Sequence, residues 1–385
     1  MSSRSQIGTF ALALTLGLTA ACSPPSGEGT TGDRQQADGT WYGKYPNGEG
    51  LYVSATSQQN RCGIQAANGA PTYHLSGFTN GGPSVVVDGW YLSSPTYIPA
   101  KGTVVSGELN GKQYPVASID VKEVNLAVTL VDGSNLIILD GDKLQDLILH
   151  LSVPNAGSST GREKASSPYS VFFKGMGKID GVAQGLIGYA IYSVPDSVPG
   201  ATPSSLCWRD DQQRDELVTF LSGAQWDKNS TMRQASGKSV SLACESGAIH
   251  VCQQWGYVPF GTSVSAKSGT DVSLEAAHDA CIPMKRADYC RTGAHFTEDG
   301  TQISIADAFN PAIQKGGGTH EGIFGQKGAF CLDKPRHPEL LPASMIPPAG
   351  SNASLICDPL DHSKDLYPCT ASSYGNDWWV ESFHQ

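Results

Sequence analysis

Eight of the ten cysteines fall after residue 200, at Cys207, Cys244, Cys252, Cys281, Cys290, Cys331, Cys357 and Cys369. Their spacings are long and irregular, and no C-x-x-C occurs, so neither a zinc ribbon nor a thioredoxin-like redox pair fits. In an oxidising compartment such a set forms structural disulfides. Four bridges are therefore expected in the second half, with the 105 pairings of eight cysteines left open. Each bridge contributes on the order of 2–4 kcal/mol by restricting the unfolded chain. Cys62 is left over, either as a buried thiol or as a half-cystine whose partner lies outside its own domain.

Export is what makes this reading physical. Met1–Gln6 carries the single cation Arg4, and Ile7–Ala21 runs small and apolar without a charge, the pattern of a signal peptide over residues 1–21. That run is shorter than the roughly 20 apolar residues a membrane-spanning helix needs. It ends in Leu18-Thr19-Ala20-Ala21-Cys22, which resembles a bacterial lipobox, although Thr19 stands where a large aliphatic residue is usual. Cys22 is the expected lipidation site, with Ser23 implying the outer membrane; cleavage near Ala21 followed by secretion is the alternative. Residues 22–40 are rich in Ser, Pro, Gly and Thr without apolar periodicity and read as a flexible linker.

The rest is long enough for two domains. With 26 Lys+Arg and a net charge of −10, the basic footprint of a nucleic-acid binder is missing, and anionic lipid would not attract the chain. Membrane contact is expected only through the lipid anchor. Gly 44 and Pro 23, with only 16% charged residues, point to a turn-rich β protein.

Residues 41–194 read as a β-rich domain, a sandwich or open barrel. Val124, Leu126, Val128 and Leu130 alternate with polar or small residues, then Asp132-Gly133 turns the chain into Leu136–Leu139. Ser84–Val87 with Asp88-Gly89, and Glu108-Leu109 with Asn110-Gly111, repeat the scheme, and a short helix is expected to begin within Lys143–Leu151. Ser193–Ser205 holds three prolines and is read as an inter-domain connection or long surface loop. Residues 195–385 then form a disulfide-rich α+β domain with helices expected at Asp211–Ser222 and Leu274–Ala287. In the second, Leu274, Ala277, Cys281 and Met284 share a face, and Pro283 is expected to kink it or start a new turn.

This half resembles the ADYC domain, a cysteine-rich module of exported bacterial proteins. The resemblance rests on Leu206-Cys207, Leu242-Ala243-Cys244, Cys252-Gln253-Gln254-Trp255-Gly256-Tyr257, His278-Asp279-Ala280-Cys281, Ala287-Asp288-Tyr289-Cys290, Phe296–Thr301 with Asp307, and Gly328-Ala329-Phe330-Cys331. It implies a secreted, disulfide-rich domain, often on lipoproteins, and no established activity. Arg291 stands where the family commonly has glycine after the cysteine, which calls into question a left-handed turn there.

Chemistry is sparse. His278 with Asp288 and Tyr289 is the one arrangement that suggests general acid–base work, but no G-x-S-x-G nucleophile accompanies it. The alternative makes His278 a satisfied core residue and Asp288 a ligand of backbone N–H groups. His250, His320, Glu321 and His337 lack metal-site spacing, and Asp140-Gly141-Asp142 lacks the next oxygen ligand of a calcium loop at Leu144. No metal and no cofactor are expected. Trp255, Tyr257, Trp378 and Trp379 are candidate stacking platforms, so a glycan or an envelope protein is the expected partner. The expectation is an envelope lipoprotein acting in surface binding or structure; an extracytoplasmic hydrolase using His278 and Asp288 is the alternative.

Overall fold

A computed structural model describes residues 52–54, 73–93, 96–122, 125–154, 166–178, 187–207, 217–226, 233–245, 247–259, 261–298, 301–310, 318–375 and 379–384. The leader, Cys22, the linker, Cys62 and Trp378 lie outside these residues.

The chain is mainly β. In order, the principal strands are β1 (Tyr52–Ser54), β2 (Tyr73–Gly81), β3 (Ser84–Ser93), β4 (Thr96–Leu109), β5 (Val116–Lys122), β6 (Asn125–Asp132), β7 (Asn135–Asp140) and β8 (Leu147–Pro154). They continue as β9 (Ser166–Lys178), β10 (Ile187–Pro195), β11 (Val218–Trp226), β12 (Arg233–Cys244), β13 (Gln302–Asp307), β14 (Thr319–Gly325), β15 (Gly328–Leu332) and β16 (Val380–His384). Two helices, α1 (Ala248–Gln254) and α2 (Leu274–Arg286), stand between β12 and β13.

Strands β2, β3, β4, β8, β9, β10, β11 and β12 pair antiparallel in that order, and β12 returns to β2, closing an eight-stranded up-and-down barrel. Each of the eight strands is thereby paired on both sides, the closing contacts being short: Tyr189 with Val218, and Ser239–Ser241 with Gly77–Thr79. Of the sandwich and the open barrel expected from the sequence, a barrel is realised, but a closed one. It runs on to Cys244, past the boundary expected at residue 194, because β11 and β12 are needed to complete it. The proline-bearing segment lies against the barrel, with Ser204–Ser205 paired to Ser193 and Tyr192 of β10.

The insertion between β4 and β8 folds as a second sheet, β5-β6-β7. Its first strand packs against β2, β3, β4, β11 and β12. Val116, Ile119, Leu126, Val128 and Leu130 join one apolar cluster with the barrel residues Leu75, Val85, Val87, Leu149 and Val171. Gly107 of β4 makes room for this plug, since a Cβ there would meet Leu130 Cδ2 at 2.6 Å. The Asn80 amide also anchors it, accepting the Ile119 N–H at 2.9 Å and donating to the Ile119 carbonyl at 3.0 Å.

The turn at Asn110-Gly111 forms as expected, both residues at positive φ, whereas the hairpin expected at Asp132-Gly133 turns one residue later, on Gly133-Ser134, with only Gly133 at positive φ and Asp132 still paired in β6. Asp88-Gly89 does not turn the chain. It lies inside β3, where glycine is needed because a Cβ would meet the His74 carbonyl oxygen at 2.2 Å. Lys143–Leu151 does begin in a short helix, the six-residue 3₁₀ helix Gly141–Asp146, and then becomes β8. Of the helix expected at Asp211–Ser222, residues 211–216 lie outside the described residues, and the remainder is corrected: Val218–Ser222 is the start of β11, where pairing with β12 overrides local helical preference. Helix α2 forms as expected and runs through Pro283 to Arg286, so the helix neither ends nor restarts there.

The second lobe is built on a sheet ordered β1-β13-β16-β14-β15, so the early residues Tyr52–Ser54 contribute a strand to the late half of the chain. One barrel wall serves both lobes through the period-2 alternation of strands. Phe220 and Leu242 join the barrel core, while their neighbours Leu221 and Ala243 join the core beneath α1 and α2. Four disulfides form among the eight late cysteines, Cys207–Cys244, Cys252–Cys281, Cys290–Cys357 and Cys331–Cys369.

Candidate functional site

The Ala-Asp-Tyr-Cys run follows α2, and each residue has an architectural task. Ser273 caps the start of the helix by accepting the Glu275 N–H at 3.1 Å. At the other end Ala287 adopts φ 54, and its N–H and that of Asp288 close onto the Met284 and Pro283 carbonyls. This is a left-handed helix stop in a fully buried place. The Asp288 carboxylate accepts the backbone N–H groups of Thr292 (2.9 Å) and Gly293 (2.8 Å), tying the turn that follows. Burial raises its pKa, opposed by the charge of Arg286 and by those two N–H bonds. Within that turn Arg291 sits at φ 54, so the left-handed residue is retained without glycine. Cys290 is bridged to Cys357.

Tyr289 enters a wholly buried polar network. Its hydroxyl donates to Glu321 Oε1 at 2.6 Å and accepts the Arg336 backbone N–H at 3.0 Å. Arg336 meets Glu321 with both Nε (2.8 Å) and Nη2 (2.7 Å), and Ser382 Oγ donates to Glu321 Oε2 at 2.6 Å. The remaining guanidinium bonds reach the Met284 carbonyl at 2.7 Å and the Lys285 carbonyl at 3.2 Å, capping the last turn of α2. Burial pushes the Glu321 pKa up, but the charge of Arg336 and the donors around the carboxylate outweigh it and leave the group below its ordinary value. One ion pair thus joins α2, β14, β16 and the loop after β15, with no exposure of either side chain.

His278 lies on α2 fully buried, its Nε2 3.0 Å from the Ile249 carbonyl of α1. His278 and Asp288 therefore take their partners in different places, one on a neighbouring helix and one in its own turn. Neither lines an exposed surface. Trp255 and Tyr257 are also fully buried, with Lys285 Nζ over the Trp255 ring at 4.9 Å and the Tyr257 hydroxyl donating to Asp307 at 2.9 Å. The expectation that they offer stacking faces is corrected on that ground. Trp379 is half-buried and packs edge-on against Tyr374, ring centres 5.1 Å apart.

The histidines of the sequence that could in principle ligate a metal sit in separate settings. His250, on α1 and fully buried, bonds Thr219 Oγ1 of β11 at 2.9 Å, and burial lowers its pKa to about 3. His337 bonds Thr301 and Glu339. Glu321 points into the buried pair, while its neighbour His320 lies on the opposite face of β14. There His320 Nδ1 is 2.6 Å from Asp333 and Nε2 is 3.2 Å from Glu381. Tyr374 donates to the same Glu381 oxygen at 3.0 Å, and the Cys369 N–H donates to Asp333 Oδ1 at 2.7 Å. Burial lowers the His320 pKa, and the Glu381 and Asp333 contacts outweigh it, for a net rise. Of this chain the sequence reading singled out only His320, because Asp333, Tyr374 and Glu381 are far apart in the chain and carry no spacing motif.

A further polar array crosses the outside of the barrel, where Ser170 Oγ lies 3.1 Å from His150 Nδ1 and Glu108 Oε2 lies 3.1 Å from His150 Nε2. Strands β8 and β9 carrying His150 and Ser170 are paired on both sides, so their backbone N–H groups serve the ladder rather than an oxyanion. The array is a cross-strand contact of the kind that stabilises sheets.

Comparison with known proteins gives one match. The model of the ADYC domain matches residues 172–338. The match begins inside β9, takes in the last barrel strands, both helices and the buried Tyr289–Glu321–Arg336 network, and ends two residues after Arg336. Cys357 and Cys369 lie beyond it. No curated protein and no solved structure matches the chain.

Proposed function

We propose that this chain, which carries an ADYC domain, is an exported envelope lipoprotein anchored through Cys22 whose folded body acts in surface binding or envelope structure rather than in hydrolysis. The observation that carries this reading is the fate of the motif itself. Asp288 ties a turn, Tyr289 is held inside a buried ion pair and Cys290 is bridged, so these side chains serve architecture. The buried placement of His278 supports the same conclusion. Four disulfides fit an extracytoplasmic protein, and no helix among the described residues is long and apolar enough to cross a membrane. A lipid on Cys22 would hold such a body at a membrane, and the polar linker would let it stand clear of the headgroups.

Two measurements test the reading. Intact mass of the mature protein from its native membrane is expected to show acyl chains on Cys22; a mature chain without them would make it a secreted protein. The purified ectodomain, placed on glycan and envelope-extract arrays and given ester, peptide and glycoside substrates, is expected to bind a component and to leave the substrates intact. Turnover abolished by His278→Ala in a variant of unchanged thermal stability would replace the binding reading with the hydrolase.

A further inference from the structure

The His320 cluster lies beside the Cys331–Cys369 disulfide, and its geometry points to a site the oxidised protein keeps closed. One ligand atom each from His320, Asp333 and Cys369 lie within 4.8 Å of one another. Cys331 Sγ is bonded to Cys369 Sγ and shares that place. We propose that reduction of the Cys331–Cys369 disulfide creates a zinc site from Cys369, Cys331, His320 and Asp333.

A disulfide sulfur carries no negative charge and is a poor ligand, whereas a thiolate is among the best zinc ligands, with imidazole and carboxylate completing a tetrahedral set. The supports that orient metal ligands are already in place. His320 turns Nδ1 towards Asp333 while Nε2 is held by Glu381 Oε2 at 3.2 Å, the carboxylate–histidine arrangement that fixes ring orientation in metal sites. Glu381 is held in turn by the Tyr374 hydroxyl, and Asp333 Oδ1 by the Cys369 N–H, leaving Oδ2 directed at the histidine. Asp333 is exposed and His320 and Cys369 are partly so, while Cys331 is buried, so an ion and a reductant reach the cluster from the Cys369 side.

The chemistry balances with a dithiol as the reductant. The dithiol delivers two electrons and two protons, the Cys331–Cys369 bond breaks to give two thiols, and the dithiol closes to its own disulfide. Zinc binding then displaces both thiol protons and any proton on His320 Nδ1 to solvent, and the ion takes the place of the direct His320–Asp333 contact. The Cys207–Cys244 and Cys252–Cys281 bridges are buried and shielded from the same reductant, whereas Cys290–Cys357 is partly exposed and open to it, which is why that bridge serves as the control below.

The test uses the purified full chain and Co²⁺ as a spectroscopic stand-in for zinc. Mild reduction with a water-soluble phosphine, mapped by alkylation, is expected to produce a thiolate-to-cobalt absorption band that the oxidised protein lacks. His320→Ala and Asp333→Asn in the reduced protein are each expected to weaken Co²⁺ and Zn²⁺ binding at least tenfold, and Cys290→Ser to leave it unchanged. Cys331→Ser, which frees Cys369 without reductant, is expected to show the band at once. Should that variant fold poorly, zinc protection of Cys369 from alkylation in the reduced wild type gives the same reading. Equal binding by oxidised and reduced protein, or reduced-state binding indifferent to His320→Ala, would overturn the proposal.

Discussion

The two lobes reach a fixed shape by different means. The barrel is held by eight strands closed on themselves and by an aliphatic core that continues into the β5-β6-β7 plug. A closed ladder satisfies its own backbone groups and needs little covalent help, and the single bridge it carries among the described residues, Cys207–Cys244, sits at the end of β12. The second lobe has short helices, a five-stranded sheet and a long stretch after β15 of isolated 3₁₀ turns. That irregular stretch buries too little to order itself, so Cys290–Cys357, Cys331–Cys369 and the Glu321–Arg336 pair hold it in place, while the helices and the sheet share an apolar core. The comparison teaches that the bridges of the second lobe do two jobs: Cys252–Cys281 staples α1 to α2, and Cys290–Cys357 and Cys331–Cys369 fasten the irregular stretch after β15 to the elements before it.

The strongest way to break this comparison is full reduction. Opening all four bridges is expected to expose the amides of α1, α2 and residues 335–375 to hydrogen exchange while β2, β3, β4 and β8 stay protected. Each bridge lost from the second lobe contributes about 2–4 kcal/mol. Equal loss of protection in both lobes would show that the barrel depends on sulfur as well.

Next in size is the buried ion pair. Arg336→Met leaves the Glu321 carboxylate unpaired inside the second lobe and is expected to cost about 3–5 kcal/mol in urea unfolding. The double variant Glu321→Leu with Arg336→Met should recover much of that, because no charge is then stranded. A single-variant cost below about 1 kcal/mol would mean that Arg336 is not what seats the loop on α2.

The smallest effect concerns the seam between the lobes, where His250 of α1 bonds Thr219 of β11. Its folded pKa of about 3 lies below the unfolded value near 6.5, so the neutral ring's contribution is present above pH 6.5 and is lost as pH falls towards 3. By pH 5 the loss is about 2 kcal/mol. His250→Gln is expected to flatten that part of the stability–pH curve; an unchanged slope would place the acid sensitivity elsewhere.

The local alphabet of this fold was legible. Asn110-Gly111 read correctly as a turn because positive φ angles come easily to both residues, and at Asp132-Gly133 the glycine alone takes that conformation, with the loop one residue further on at Gly133-Ser134. Helix α2 was equally readable, its apolar face and cap lying within 14 residues. Asp88-Gly89 misled because glycine answers two different demands, a turn or a close strand, and only the neighbouring His74 distinguishes them. Val218–Ser222 misled because the pairing that makes it a strand comes from β12 and, at Tyr189, from β10. Of the candidate site, His320 was visible, whereas Asp333, Tyr374 and Glu381 are neighbours only through the pairing of β14 with β16 and the Cys331–Cys369 bridge.

Composition and order along the chain determined the mainly β character, the concentration of disulfides after residue 200 and the ADYC resemblance, since each of these is local or additive. Which cysteines pair, where the barrel closes and which carboxylates face His320 were decided by tertiary structure alone. The physical reason is that these contacts join residues tens of positions apart, whose approach depends on strand register and barrel closure and leaves no periodic trace in the sequence.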